Sequence, residues 1–188
     1  MPHPLIKGGT SLLNAGAILD SVGVHEGAIV ADLGCGGMGH FVAPTARSVG
    51  PKGHVYAVDI QKAVLHNVES RLQFQKIANV STVWSNLEKV GSAKIPDHSC
   101  DFAFLVNVLF QNKDHSAILL EARRLLKETT GHLSVIEWKK SASPIGPPLD
   151  FRVDPATILT LGREAGLAYV RAFDPGVYHY GLIFKAHS

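Results

Sequence analysis

Two aspartates stand close to a glycine-rich turn in the first third of the chain. Asp32 lies near the end of an apolar run and is followed by Gly34-x-Gly36-x-x-Gly39, and Asp59 ends a second apolar run about 20 residues later. Glycines after a strand allow a tight turn and a close approach of the backbone to a ligand. A carboxylate at the end of the next strand can accept hydrogen bonds from both hydroxyl groups of a ribose. The spacing therefore predicts a site for an adenosine-containing cofactor.

Asp32 indicates which cofactor this is. The glycines alone also fit a dinucleotide site, but Asp32 precedes Gly34 by two residues, where it would repel a pyrophosphate. The same carboxylate suits the cationic amino-acid end of S-adenosylmethionine, and the chain has no Tyr-x-x-x-Lys pair of the kind that many small dehydrogenases use. These residues favour S-adenosylmethionine over NAD(P). An NAD(P)-dependent oxidoreductase, and a glycine turn that only joins a strand to a helix, are the alternatives.

The segments around these residues resemble the class I S-adenosylmethionine-dependent methyltransferases, over about residues 10–186. The similar segments are Val30–Gly39, Val55–Gln61, Cys100–Leu109 and Leu119–Glu137. The last of them is similar to the helix and fifth strand of the ubiquinone/menaquinone-biosynthesis group, the type 11 methyltransferases. The resemblance implies in-line transfer of the methyl group of S-adenosylmethionine, with S-adenosylhomocysteine as the product. It implies little about the acceptor, because the acceptor side varies widely in this family.

Strands and helices alternate along most of the sequence. Apolar runs and turn residues predict strands over 28–33, 54–59, 80–84, 101–107, 132–138, 168–173 and 178–186, and helices over 39–49, 62–77, 115–127 and 155–166. A further helix, capped by Thr10 or Ser11, is predicted up to Val22. This alternation predicts an α/β fold of the Rossmann-like, doubly wound type, with a mostly parallel sheet and helices on both faces. The resemblance adds that the sheet is seven-stranded and that its last strand is antiparallel.

Length and composition are those of a single globular domain over residues 1–188, in which residues 1–26 supply an N-terminal helix and lead-in. Hydrophobic residues make up 46% of the chain, and no apolar stretch approaches the ~20 residues needed to cross a bilayer. The N-terminus lacks the apolar core of a signal peptide, so a cytoplasmic protein is expected. The net charge is +2 with scattered basic residues, which argues against nucleic acid as a partner.

Cysteine and histidine point to no disulfide framework and no metal. Cys35 and Cys100 are the only cysteines, and both are expected to be buried. The ten histidines include no pair with the tight spacing of a helical metal site. Glu121 and Arg124 are expected to pair on the surface of a helix, because residues at i and i+3 are neighbours there.

The carboxyl ends of the predicted strands should meet at one edge of the sheet and hold the cofactor. The residues predicted to bind it are Asp32, Gly34, Cys35, Gly36, Gly39, Asp59, Ile60, Gln61, Asn86, Leu87 and Asn107. Asn86 stands where related methyltransferases often have an acid for the adenine amino group, and an ordinary turn is the alternative interpretation. Asn107 is followed by Val108-Leu109-Phe110, without the prolines of the family members that methylate adenine or glutamine amino groups, which argues against those activities.

Asn107, Gln111 and His179 are the candidates for catalytic residues. Asn107 ends the fourth strand, Gln111 follows it, and His179 in the last strand is either a general base or structural. A strong base is optional, because alignment alone can supply effective molarities of ~10⁵–10⁸ M. Glu137 and Trp138, at the end of the fifth strand, are expected to face the pocket.

Residues 139–153 form the longest irregular stretch of the sequence. Such stretches are usually lids or disordered, and we expect a lid that brings Asp150 and Arg152 to the rim of the site. A small-molecule acceptor, enclosed by this lid and the N-terminal helix, is favoured. The alternatives are an open site that receives a protein lysine, and a non-catalytic subunit that binds S-adenosylmethionine. The sequence makes no prediction about the oligomeric state.

Overall fold

A seven-stranded β-sheet forms the centre of the chain, of which a computed structural model describes residues 12–187. The strands are β1 (Ile29–Leu33), β2 (His54–Asp59), β3 (Val80–Trp84), β4 (Phe102–Val106), β5 (His132–Trp138), β6 (Leu167–Phe173) and β7 (His179–Ala186). Their order across the sheet is β3-β2-β1-β4-β5-β7-β6. β7 is antiparallel to both of its neighbours, and the other pairs are parallel. The predicted fold class is confirmed.

Helices cover both faces of this sheet. They are α1 (Ala15–Val22), α2 (Val42–Val49), α3 (Lys62–Phe74), α4 (His115–Leu125) and α5 (Pro155–Glu164). Helices α1–α3 pack in one core with Val30 and Phe104, and α4 and α5 pack in a second core with Leu33, Leu105 and Val135. The central strands are therefore buried on both faces, as in other parallel sheets covered by helices. No helix in residues 12–187 is long and apolar enough to cross a membrane.

The strands follow the predicted bounds closely. β2, β3 and β5 begin and end where the sequence predicts, and β1, β6 and β7 differ by one residue at one end. β4 ends at Val106 and not at position 107, because Asn107 has a φ of 57° that no strand accommodates.

Helix α1 begins later than the sequence predicts. The expected caps, Thr10 and Ser11, lie outside the described residues. The cap in the structure is Asn14, whose side chain accepts a hydrogen bond from the N–H group of Ala17 at 3.1 Å. The predicted end of the helix at Val22 is confirmed.

Residues with positive φ explain two other differences at helix ends. Helix α2 starts at Val42 and not at position 39, because Gly39 has a φ of 52°. Helix α3 ends at Phe74 and not at position 77, because Lys76 has a φ of 55°. A left-handed residue interrupts a right-handed helix, and the hydrophobic pattern does not reveal it. Helices α4 and α5 also end slightly earlier than predicted.

Glu121 and Arg124 pair as expected, but the expectation of a surface pair is wrong. Glu121 on α4 is fully buried, and its Oε1 lies 2.8 Å from Nη2 of Arg124. The carboxylate also accepts hydrogen bonds from the N–H groups of Gly91 (2.6 Å) and Ala93 (3.0 Å). Arg124 pairs in addition with Asp97. The two residues therefore hold the connection between β3 and β4 against α4.

We expect Glu121→Gln to lower the free energy of unfolding by ~2–4 kcal/mol. Glutamine places an amide nitrogen where a backbone N–H group needs an acceptor, and it leaves Arg124 without its buried counter-ion. Urea unfolding measures the loss. Glu128→Gln is the matched control, because Glu128 forms only an exposed pair with His98, and its effect should stay within ~0.5 kcal/mol. Equal effects of the two variants would contradict the assignment.

Candidate functional site

The glycine-rich turn after β1 is held against neighbouring strands. The N–H groups of Gly34 and Cys35 donate to the carbonyl oxygen of Val58 in β2, at 2.8 and 2.9 Å. Gly34 has a φ of 81°, and a Cβ there would lie 2.7 Å from a methyl carbon of Val108. Gly36 has a φ of 67°, and no described residue comes within 4 Å of where its Cβ would be. Packing therefore requires glycine at position 34, whereas the Gly36 backbone is open to an approaching ligand.

Asp59 connects the end of β2 to this turn. Its Oδ2 accepts a hydrogen bond from the N–H group of Gly36 (3.1 Å), and its Oδ1 accepts one from Gln61 (2.9 Å). A carboxylate oxygen can accept two hydrogen bonds, so each oxygen can still take one from a ribose hydroxyl. Ile60 is half exposed, and its carbonyl oxygen accepts the indole N–H of Trp84 at 2.7 Å. Asp59, Ile60 and Gln61 thus lie together beside the glycine turn.

Asp32 is a buried carboxyl group with incomplete hydrogen bonding. It lies in β1, is 3% exposed, and its Oδ2 has no hydrogen-bond partner among the described residues. Burial, and after it the charge of Asp59, raises the pKa of Asp32 to about 7. A cationic ligand group nearby would favour the ionised form. The surroundings of Asp32 therefore suit a cation.

Asn107 directly follows β4 and has an unusual backbone. Its φ of 57° lies in the left-handed region, which costs a non-glycine residue ~1–2 kcal/mol. The side chain is 6% exposed, and neither Oδ1 nor Nδ2 has a hydrogen-bond partner among the described residues. Its N–H group donates to the Ile136 carbonyl oxygen (2.8 Å), and its own carbonyl oxygen accepts from Nε2 of Gln111 (2.6 Å). Backbone strain and a free buried amide together are typical of a ligand site.

Glu137, in β5, is the second carboxyl group at this edge with a free oxygen. It is fully buried; Oε1 accepts a hydrogen bond from the Leu109 N–H group at 2.6 Å, and Oε2 has no described partner. Burial raises the pKa of Glu137 to about 8, although the N–H groups of Leu109, Phe110 and Val108 act against that rise. Glu137 therefore holds the turn after Asn107. The sequence predicts only that it faces the pocket; an acid at the end of an apolar strand is the signal for the buried role.

His179 begins β7 opposite Trp138 and so reaches the same edge of the sheet. It is 1% exposed, its ring centroid lies 4.3 Å from that of Trp138, and its Nε2 has no described partner. Burial, followed by the charges of Lys139 and Arg152, lowers the pKa of His179 to about 4. The imidazole is therefore neutral at physiological pH, and Nε2 can form one hydrogen bond with a ligand.

Asp32, Asn107, Glu137 and His179 form what we call the polar row. They lie in, or directly after, the consecutive strands β1, β4, β5 and β7. Within residues 12–187, every buried side-chain nitrogen or oxygen atom that lacks a hydrogen-bond partner belongs to one of these four residues. Such atoms are rare in native proteins and call for an explanation. The polar row is therefore the best candidate for a ligand site in the described part of the chain.

Three other residues predicted for the site make contacts within the protein. Oδ1 of Asn86 accepts a hydrogen bond from the Glu88 N–H group at 3.0 Å. Asn86 therefore forms an ordinary turn, which is the alternative to adenine binding, and its Oδ1 can still accept one more hydrogen bond. Leu87 is buried in the core that contains α4 and α5. Gln111 is exposed and donates to the backbone of Asn107. Gln111 thus supports Asn107 through a backbone contact.

The cysteines contribute no reactive group. Cys35 and Cys100 are free and buried, and burial raises the pKa of both thiols. Thiols of this kind are poor nucleophiles. Residues 12–187 also contain no group of three or more His, Cys, Asp or Glu side chains that could hold a metal ion.

The 139–153 loop is folded around Arg152. The guanidinium group is buried and donates to carbonyl oxygens or a hydroxyl group at 2.8–3.0 Å, in Lys139, Ser141, Ser143, Ile145 and Pro147. The loop packs on Trp138: a Cβ at Gly146 would lie 2.7 Å from its ring. Asp150 is exposed. The expectation that Arg152 lies at the rim is wrong, because its hydrogen bonds are directed into the loop itself.

Comparison with known proteins identifies the family. Residues 24–144 match the family model of a methyltransferase domain. The chain belongs to this family. It is 34% identical over 179 residues to the ubiquinone/menaquinone biosynthesis C-methyltransferase UbiE of Vibrio vulnificus (strain YJ016), which covers 95% of this chain. The chain spans 65% of the length of that relative.

Solved structures agree with this family. A SAM-dependent methyltransferase from Aquifex aeolicus is 26% identical with a TM-score of 0.84, over 92% of this chain and 89% of that one. An arsenic(III) S-adenosylmethionine methyltransferase from Chlamydomonas reinhardtii has a TM-score of 0.69 at 22% identity, over 87% of this chain and 64% of that one, which is a likeness of fold alone. The predicted membership of the class I S-adenosylmethionine-dependent methyltransferases is confirmed, and S-adenosylmethionine is the cofactor of this family.

The residues at the carboxyl edge of the sheet fit this cofactor. Asp59 has free acceptor positions for ribose hydroxyls, and the backbone at Gly36 is open. The unpartnered oxygen of Asp32 suits the ammonium group of the amino-acid end. A pyrophosphate would instead meet the negative charge of Asp32. The arrangement therefore favours S-adenosylmethionine over a dinucleotide.

We expect Asp32→Asn to stabilise the ligand-free protein, by an amount that grows as the pH rises from about 4 to about 7 and is constant above. The Asp32 carboxyl has a pKa of about 7 in the folded chain and an ordinary value of 3.8, so the folded state binds the extra proton in this window and wild-type stability falls as the pH rises. Asparagine does not titrate. Urea unfolding at pH 5 and pH 8 should show a gain that is ~2.5 kcal/mol larger at pH 8. Equal gains at the two pH values would contradict the raised pKa.

Proposed function

We propose that this chain transfers the methyl group of S-adenosylmethionine to a carbon atom of a small hydroxylated ring. The observation that carries the proposal is the polar row. Asn107 and His179 follow Asp32 along the sheet, and their free hydrogen-bonding atoms suit the hydroxyl or carbonyl oxygens of such an acceptor. The similarity to UbiE, whose name states carbon methylation in ubiquinone and menaquinone biosynthesis, supports the choice of a ring carbon.

S-adenosylmethionine, when bound, supplies an electrophilic methyl group on a sulfonium. The task of the protein is to align the acceptor carbon and to keep water away from it. A ring carbon beside a hydroxyl group becomes more nucleophilic as the hydroxyl proton is drawn away. Such a carbon would take the methyl group as the bond from the methyl group to sulfur breaks and S-adenosylhomocysteine leaves, and its own ring proton would then pass to solvent. Nε2 of the neutral His179 imidazole accepts a hydrogen bond from that hydroxyl, and the Asn107 amide holds a neighbouring oxygen or the amino-acid end of the cofactor.

The 139–153 loop supports an acceptor of small size. It begins where β5 ends, at the same edge as the polar row, and Arg152 holds it closed on Trp138. Its side chains Ile145 and Leu149 are exposed, which gives the loop apolar surface for an organic acceptor. A protein lysine as the acceptor, and a non-catalytic subunit, are the alternatives that the assay has to separate.

Calorimetry with S-adenosylmethionine, S-adenosylhomocysteine and NAD⁺ is the first test of this function. We expect binding of the first two and none of NAD⁺. Radiolabelled methyl transfer to a reduced naphthoquinone with a free ring carbon follows, with mass spectrometry to locate the new methyl group. Label found only in proteins of a fractionated lysate would indicate a protein methyltransferase. Cofactor binding without transfer to any fraction would indicate a non-catalytic subunit, and binding of NAD⁺ alone would overturn the proposal.

Asp59→Ala should weaken the binding of S-adenosylhomocysteine by at least about 100-fold, because two hydrogen bonds that the ribose hydroxyls donate to the charged carboxylate are lost at ~1.5–3 kcal/mol each. Calorimetry measures the change. The matched control is Asp101→Ala: Asp101 accepts the N–H group of Ile29 and pairs with Lys127, at the opposite edge of the sheet. The Asp101→Ala variant should be less stable than wild type and should keep its affinity for S-adenosylhomocysteine. An unchanged affinity of Asp59→Ala would refute the ribose assignment.

A further inference from the structure

The turn that follows β4 is clamped from two sides. On one side the Val108 side chain packs against Gly34. A Cβ at position 34 would lie 2.7 Å from a methyl carbon of Val108. On the other side the Glu137 carboxylate faces the backbone N–H groups of Val108, Leu109 and Phe110, with Leu109 at 2.6 Å. We call these contacts of Val108 and Glu137 the clamp. The clamp joins the glycine turn after β1 to the end of β5.

The side chain of Asn107 has little else to fix it. Its backbone is left-handed, which asparagine tolerates better than most residues with a Cβ but less well than glycine, and its amide makes no hydrogen bond within the described residues. The hydrogen bond from the exposed Gln111 side chain to the Asn107 carbonyl oxygen can be replaced by water at little cost. The hydrogen bond from the Leu109 N–H group to Glu137 is buried, where water cannot replace it.

We propose that Glu137 is a positioning residue for the cofactor site, which keeps Asn107 in the left-handed conformation that presents its amide to the ligand. The inference rests on the assignment of Asn107 to ligand binding in the proposed function. It assigns a role to Glu137, a residue of β5 that acts on Asn107 through the backbone of the turn after β4. A carboxyl group suits this role because its oxygen accepts the Leu109 N–H group, and in its ionised form it offers no competing donor.

A double-mutant cycle tests the inference through the affinity for S-adenosylhomocysteine, measured by calorimetry at pH 9, where the Glu137 carboxyl is ionised. We expect Asn107→Ala and Glu137→Gln each to weaken binding about tenfold. If Glu137 acts through Asn107, the double variant should also be only about tenfold weaker, not 100-fold. Glu121→Gln is the matched control: it alters another buried carboxylate that accepts backbone N–H groups, and its affinity should stay within about twofold of wild type.

Multiplicative effects in the double variant, or a Glu137→Gln variant that binds like wild type, would overturn the inference. Should Glu137→Gln fail to fold, Glu137→Asp replaces it in the same cycle, because it keeps the charge and shortens the reach to Leu109. The amide proton resonance of Leu109 should then move upfield in folded protein, and an unmoved resonance would also overturn the inference. A wild-type chain that binds S-adenosylhomocysteine but methylates no acceptor would refute the proposed function and leave this cycle interpretable.

Discussion

The polar row is buried without a full set of hydrogen bonds, and the rest of the fold has to compensate for it. Each buried polar group left unpaired costs ~1–3 kcal/mol, which is a large share of the 5–15 kcal/mol that stabilises a typical domain. The compensation comes from the strands that carry the row. β4 is buried along its whole length and β5 along nearly all of it, and helices pack on both faces. A site of this kind can exist only at the edge of a well-packed core.

Two aspartates beside the same glycine turn show how the environment divides their roles. Asp59 receives backbone N–H groups from Gly36 and Gln61, so its charge is used to shape the turn and remains available to hydroxyl groups. Asp32 has a free oxygen, and its pKa is raised by burial and by Asp59. Its ionised form is therefore less favoured than that of an ordinary aspartate. Asp59 supports the glycine turn, and Asp32 presents a buried carboxyl group that suits a positively charged ligand.

The sequence predicts strands better than it predicts helix ends, for a physical reason. β2, β3 and β5 are apolar runs bounded by turn residues, and both signals are local. The limits of α2 and α3 depend instead on positive φ at Gly39 and Lys76, which the hydrophobic pattern does not encode.

Local sequence signals likewise predict only part of the candidate site. The glycine turn and Asp59 are predictable because their chemistry depends on position along the chain. The burial of Glu121 and Arg152 depends on segments that meet only in three dimensions: Glu121 accepts hydrogen bonds from the connection between β3 and β4, and Arg152 donates to a loop that folds back on it. The contact of Val108 with Gly34 and the role of Glu137 likewise follow from the neighbourhood of β1, β4 and β5, not from any local motif.

Arg152 determines the internal shape of the 139–153 loop. The five hydrogen bonds that its guanidinium group makes with the loop backbone and Ser143 all lie within the loop. At a net ~0.5–1.5 kcal/mol for each bond, this folded form of the loop dominates before any ligand is present. The loop is therefore preformed at the edge of the sheet that carries the polar row. For a ligand bound beside it, a preformed loop reduces the ordering entropy lost on binding.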